Sequence, residues 1–190
     1  MTLFDRLFGS FQNAAEIYRD GEVVSELQHA LQAADFAAAD GADDDLVLAA
    51  LLHDVGRFAA PAPHAQIGRR PPGHEILGAE LVARHLSPRI TWCIRHHVTA
   101  KRYLAATQRS YAANLSPASR RDLITQGGPL NEEEVHEFAA EAWALDAIQL
   151  RRWCDMAKIL GRPTRGLDFW ESELCRIFSV EPAQAPSLNW

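Results

Sequence analysis

A histidine directly followed by an aspartate closes an apolar run, Leu51-Leu52-His53-Asp54-Val55-Gly56. Burying both side chains there is costly unless something compensates their polarity. A di- or trivalent cation would do so, because imidazole nitrogen and carboxylate oxygen both suit iron, manganese or zinc. Taken alone, the pair fits equally well a histidine resting on the negative end of a helix dipole beside a solvated aspartate. A second histidine pair, His96-His97, stands farther along. Adjacent helical residues point ~100° apart, so only one of the two is expected to enter a given site. His97 shares a helix face with Lys101, which sets a ligand-type nitrogen beside a cation able to hold an anion. His96 is expected beside the site or on the surface, and His64, His85 and His136 on the surface. Cys93, Cys154 and Cys175 form no CxxC pair, which argues against a disulfide framework and for a reducing, cytoplasmic setting.

Positioning these groups falls to helices, since the apolar spacing is helical almost throughout and no strand alternation stands out. The pattern predicts helices over about 3–16 and 23–40, then one that starts at the acidic run Asp43 to Asp45 and ends near Gly56. Residues 57–73, with four prolines, read as a loop. A helix follows over about 74–86, and Ser87-Pro88 and Ser116-Pro117 each read as an N-cap with a first-turn proline. The first of these starts a helix through about Thr107, and Gly127-Gly128 ends the second. Asn131 with Glu134 resembles a capping box, followed by helix over about 132–158 with a possible break, and by another over about 168–178. No repeat or linker divides the 190 residues, so a single all-α domain, a helical bundle over 1–190, is expected.

The bulk numbers narrow the function classes. With 47% hydrophobic and 23% charged residues the chain is ordinarily globular, and its net charge of -6 argues against a long nucleic-acid footprint. No stretch reaches the ~18 apolar residues that a membrane span needs, and the amphipathic start lacks the form of a signal peptide. No P-loop, nucleotide-cofactor fingerprint or nucleophile elbow is visible.

His29, His53-Asp54 and Asp155 together resemble the H…HD…D set of the HD-domain superfamily, and His74 and His97 match the added ligands of its two-metal members. The segments Gly21 to His29, Ala100 to Leu104, Leu115 to Ser119, Gln126 to Pro129 and Leu150 to Lys158 narrow the likeness. They are similar to the small mixed-valence di-iron oxygenases of phosphonate catabolism, distant kin of myo-inositol oxygenase, over a core of about 18–158. The resemblance implies that His29, His53, Asp54 and Asp155 bind one iron, with Asp54 bridging to a second held by His74 and His97. It implies that Tyr18 covers an open metal position and that Glu22 meets a substrate ammonium. Lys101, Ser119 and Arg152 would surround a phosphonate, and Arg57, standing where the family often has histidine, could also reach the anion. Each has an ordinary reading beside this one: a snorkelling lysine, a first-turn serine, an arginine paired with a surface acid. The chain departs from the pattern in the spacing of Tyr18 and in Cys154, which replaces a common acidic neighbour of Asp155.

The implied reaction is O₂-dependent cleavage of the C–P bond of a small α-hydroxyphosphonate such as 2-amino-1-hydroxyethylphosphonate. It yields phosphate and a carboxylic acid such as glycine, with an Fe(II)/Fe(III) pair as cofactor, O₂ as cosubstrate, and neither nucleic acid nor membrane as partner. Two alternatives stay open at this point. One is an HD phosphohydrolase whose metal-bound hydroxide attacks a phosphate ester, the other a noncatalytic metal-binding or signalling module.

Overall fold

A computed structural model describes residues 3–18, 21–59 and 72–179 of the protein. His64 and most of the proline-rich segment lie outside the described residues. Among the described residues ten α-helices follow one another: α1 (Leu3–Ala14), α2 (Glu26–Ala39), α3 (Asp44–Leu52), α4 (His74–Val82), α5 (Pro88–Thr107), α6 (Tyr111–Asn114), α7 (Pro117–Thr125), α8 (Glu132–Ala140), α9 (Ala144–Met156) and α10 (Leu167–Ser179). A 3₁₀ turn, Val55–Arg57, follows α3. Among the described residues there is no strand, only an isolated antiparallel bridge between Tyr18 and Ser25. No described helix is long and apolar enough to cross a membrane.

The starts of the helices follow local chemistry. Asp43 caps α3 through the Leu46 amide at 3.0 Å, and Ser87 and Ser116 cap α5 and α7 just ahead of their prolines. Asn131 and Glu134 form a reciprocal capping box on α8. A second such box, Ser25 with Gln28, starts α2 at Glu26 and not at Val23, because the Ser25 hydroxyl takes up the free Gln28 amide. The expected break in the 132–158 helix falls between α8 and α9.

Helix α5 packs on α9, α3 and α4, while α2 packs on α3 and α9. Ala30, Ala33, Ala34 and Ala37 on α2 are fully buried. Side chains this short let helix axes approach to the close end of the usual ~8–10 Å range, which draws His29 toward α9. Leu51, Leu52, Ile94, Leu150 and Trp153 fill the same core. Full burial of each of the four aliphatic side chains among them contributes roughly 1.5–3 kcal/mol. Polar ties hold the register: Trp153 Nε1 donates to Asp40 at 2.7 Å, and Arg89 on α5 reaches both Asp43 and Asp146.

Candidate metal centre

Four segments converge on one buried cluster. His29 stands in the first turns of α2, His53 caps the C-terminus of α3, Asp54 follows it, His74 opens α4 and His97 lies midway along α5. His53, Asp54 and His97 are at most 2% exposed. Gly56 makes the convergence possible. A Cβ at this position would lie 2.0 Å from the His74 carbonyl oxygen, so the turn carrying His53-Asp54 abuts the start of α4 only because residue 56 has no side chain.

The tautomers of three histidines follow from their neighbours. His29 Nδ1 lies 2.8 Å from the Ala157 carbonyl, His53 Nδ1 2.8 Å from that of Ala50, and His97 Nδ1 2.7 Å from that of Ile94. A carbonyl only accepts, so each Nδ1 carries the proton and each Nε2 of the neutral ring presents a lone pair. Yet His29 Nε2 and His53 Nε2 are 3.1 Å apart, and His74 Nε2 and His97 Nε2 are 3.2 Å apart. Two neutral rings facing each other through bare nitrogens, as His29 and His53 do, cannot hydrogen-bond, so a cation belongs between them, either a proton on one ring or a metal ion held by both. This is the usual arrangement of metal-ligating histidines whose other nitrogen donates to the protein.

Asp54 joins the two pairs. Its Oδ2 lies 3.7 and 3.6 Å from His29 and His53, and its Oδ1 lies 2.9 and 3.5 Å from His74 and His97. Although His74 is near, Oδ1 is buried without an aligned hydrogen bond. A lone pair left so inside a protein suits a metal ion. The groups His29, His53, Cys154 and Asp54, His74, His97 each have ligand atoms within 4.8 Å of one another.

Electrostatics match this crowding. Burial opposes the charge on Asp54, but Arg57, His53 and His74 outweigh it and hold the carboxyl well below its usual range. Burial also opposes protonation of His53, yet the charges of Asp54 and Cys154 lift it to about 9, whereas burial brings His97 down to about 4. Lys101, one helical turn beyond His97 and 2% exposed, is lowered to about 7 by burial and by the charge of Arg151. Among the described residues no hydrogen bond or ion pair reaches its ammonium group.

Not every expected residue arrives. Asp155 is turned away: its carboxylate accepts hydrogen bonds from Tyr111 Oη at 2.5 Å and from Arg151. Arg152 is exposed. The reason is helical geometry on α9: Arg151 and Cys154 are three apart and face the cluster, while Arg152 and Asp155 each point ~100° away from their inward neighbour. Arg151 and Cys154, each 4% exposed, line the pocket with Lys101 and Ser119. Tyr18 is 57% exposed, with its backbone in the bridge to Ser25 and its side chain in solvent. Glu22 is already engaged by Lys158 Nζ at 2.5 Å and by the Ser116 hydroxyl at 2.9 Å. Lys158 also donates to Ser119 Oγ at 2.7 Å. Arg57 sits beside the cluster, with Nε 3.1 Å from Asp54 Oδ2 and Nη2 3.1 Å from His74 Nε2. His96 instead stacks on Trp92 with ring centroids 4.0 Å apart, and His85 and His136 are exposed.

The pocket opens into a cleft of about 630 Å³ bordered by Arg57, His74, Val98, Arg102 and Gln126. Its volume suits a small ligand.

Comparison with known proteins gives consistent answers. Residues 27–138 match the HD domain. The chain is 36% identical to the hydroxymethylphosphonate dioxygenase of Gimesia maris over 170 residues, covering 88% of this chain and 84% of that protein. It is 41% identical to the 1-hydroxy-2-(trimethylamino)ethylphosphonate dioxygenase (glycine-betaine-forming) of Leisingera caerulea over 151 residues, 79% of this chain and 76% of that protein. An uncharacterized protein of Acanthamoeba polyphaga mimivirus is 30% identical over 164 residues, 84% of this chain and 74% of that protein.

Proposed function

The chain belongs to the HD-domain family and, within it, to the phosphonate dioxygenases, and from that premise we propose how its residues divide the work. The enzyme cleaves the C–P bond of a small α-hydroxyphosphonate with O₂. The balance is R–CH(OH)–PO₃²⁻ + O₂ → R–COO⁻ + HPO₄²⁻ + H⁺, so the substrate itself provides all the electrons and no external reductant is needed.

The His/Asp cluster holds metal, and our finer reading is an Fe(II)/Fe(III) pair. His29 and His53 with Asp54 would hold one ion, and His74 and His97 with the same carboxylate would hold the other. The observation that carries this reading is the pair of facing Nε2 couples shared by the two oxygens of one carboxylate. Iron, when bound, supplies the redox chemistry that activates O₂.

The protein's own residues bind and orient the rest. Lys101, Ser119 and Arg151 meet the phosphonate, with Arg57 at the mouth of the same pocket. Arg151 takes the part that the family likeness gives to Arg152. The Glu22 carboxylate is charge-compensated by Lys158, so a substrate lacking a cationic amine is accommodated without breaking that pair. The favoured substrates are therefore short hydroxyalkylphosphonates, with an ammonium group tolerated but not required.

The test is anaerobic loading with iron, then O₂ uptake and phosphate release with hydroxymethylphosphonate, 2-amino-1-hydroxyethylphosphonate and its trimethylammonium relative. One phosphate per O₂ is expected, with hydroxymethylphosphonate at least as good a substrate as the amines. Hydrolysis of phosphate esters without O₂, and no O₂ uptake with any of the three, would overturn the proposal.

A further inference from the structure

We infer that Cys154 supplies its sulfur to the ion held by His29 and His53, so that the two halves of the centre are chemically unequal. The inference rests on the two-metal reading of the cluster.

Cys154 Sγ lies 3.6 Å from His29 Nε2, and it shares with His29 and His53 a set of ligand atoms all within 4.8 Å. A sulfur ~2.3 Å and a nitrogen ~2.1 Å from one ion are ~3.1–3.6 Å apart for angles between a right angle and tetrahedral. The observed separation falls at the upper end of that range. The two nitrogens facing the sulfur are the lone-pair positions whose opposition needs a cation, so the cysteine joins a set that already demands a ligand.

A second buried cysteine provides a contrast. Cys93 is fully buried among the apolar residues of the main core. Cys154 is buried to a similar degree but stands against His29, at the edge of a pocket lined by Lys101, Arg151 and Lys158. Packing explains the first cysteine and not the second. The neighbouring carboxylate is no competitor for the position, since Asp155 is bound by Tyr111 and Arg151.

The chemical consequence is a difference in softness. One half offers two imidazoles, a carboxylate oxygen and a thiolate; the other offers two imidazoles and a carboxylate oxygen. Thiolate favours softer, more covalent ions, so the halves should discriminate between metals where two oxygen-and-nitrogen sites would not.

Cobalt(II) tests this without turnover. The metal-stripped full-length protein is titrated anaerobically with cobalt while the near-ultraviolet sulfur-to-cobalt charge-transfer band is followed. Two cobalt ions per chain are expected, with a band equivalent to one thiolate. Cys154→Ala and Cys154→Asp should abolish the band, the aspartate variant still binding two ions, while Cys93→Ala and Asp155→Ala keep it. The aspartate variant guards against simple loss of the fold in the alanine one. Two bound ions without a band in the wild type, or a band that survives Cys154→Asp, would overturn the thiolate and leave the two-metal reading standing. Failure of the wild type to bind two ions would bring down both.

Discussion

A lone pair on each of three Nε2 atoms is what turns a group of buried histidines into a candidate metal site. Carbonyl oxygens set those tautomers, and His97 is held so by Ile94. His96, one residue away, points its ring at Trp92 instead. His97→Ala should therefore remove at least one metal per chain and most activity, while His96→Ala keeps full metal content; elemental analysis of the two purified variants decides. Lys101 gives a second prediction at this scale. Burial and the charge of Arg151 lower it to about 7, so its ammonium is present below that pH and lost as pH rises through it. Because kcat/KM reports groups of the free enzyme, it should fall above about pH 7, and Lys101→Arg, charged at every accessible pH, should flatten that limb. A pH profile unchanged by the arginine would remove Lys101 from phosphonate binding. Much of this is legible in residue types: motif and spacing single out His29, His53, Asp54, His74, His97, Lys101 and Ser119, and all line or adjoin the pocket. Tyr18 and Glu22 stand out on the same grounds and meet other partners, because nothing in residue type reveals that Lys158 lies against Glu22.

Helix rotation and helix approach decide which of those side chains meet. On α9 the buried positions Ala147, Leu150, Arg151 and Cys154 follow i, i+3, i+4, i+7. That stripe is present in the sequence and selects Arg151 and Cys154 over their neighbours; reading the motif by likeness alone sets the face one residue off. Arg151→Ala leaves the half-buried Asp155 against Tyr111 without its cation, and losing a charge-assisted hydrogen-bond partner in this way costs about 1.5–3 kcal/mol. It should also raise KM for the phosphonate at least about tenfold. Arg152→Ala, on the exposed face, should change stability by less than about 0.5 kcal/mol and leave KM unaltered. Equal effects of the two on KM would show α9 rotated from its described position. Elsewhere, caps make boundaries readable: Ser87-Pro88, Ser116-Pro117 and Asn131 all start helices where expected, whereas α2 starts three residues after the beginning of its apolar pattern, where Ser25 and Gln28 form their box. The four-residue α6 is not, since it is too short to show a period. Nor does sequence show that Gly56 touches α4. Gly56→Ala should push the His53-Asp54 turn off His74 and destabilise the protein by at least about 1–3 kcal/mol, the ordinary cost of overpacking. Thermal unfolding together with metal content measures both effects, and a stable variant with two metals would refute the close approach.

At the scale of the whole molecule, Asp54 is the point at which α2, α3, α4 and α5 are tied together, because each of its oxygens faces a histidine pair from different helices. Metal bound there is a cross-link between segments far apart in sequence, and by mass action it stabilises the folded state alone. At a free metal concentration a hundred times the dissociation constant, one site contributes about 2.7 kcal/mol. For a chain of this length that corresponds to roughly 5–10 °C in Tm, at about 2–4 °C per kcal/mol. Removing the metal leaves the buried Asp54 carboxylate and the two close Nε2 couples with protons alone to compensate them, so the chelated protein should melt lower by at least that amount. Asp54→Ala should abolish the difference: without a shared carboxylate neither half keeps its oxygen ligand, and the variant should bind neither ion tightly and melt at one temperature with or without metal. His74→Ala should behave between the two, losing one ion and part of the shift, because His29, His53 and Asp54 Oδ2 remain. Calorimetry of the three proteins with iron and with chelator, alongside iron analysis, separates these cases. Two irons per chain and full activity in Asp54→Ala would show that this carboxylate joins nothing, and the shared-carboxylate centre would fall with it.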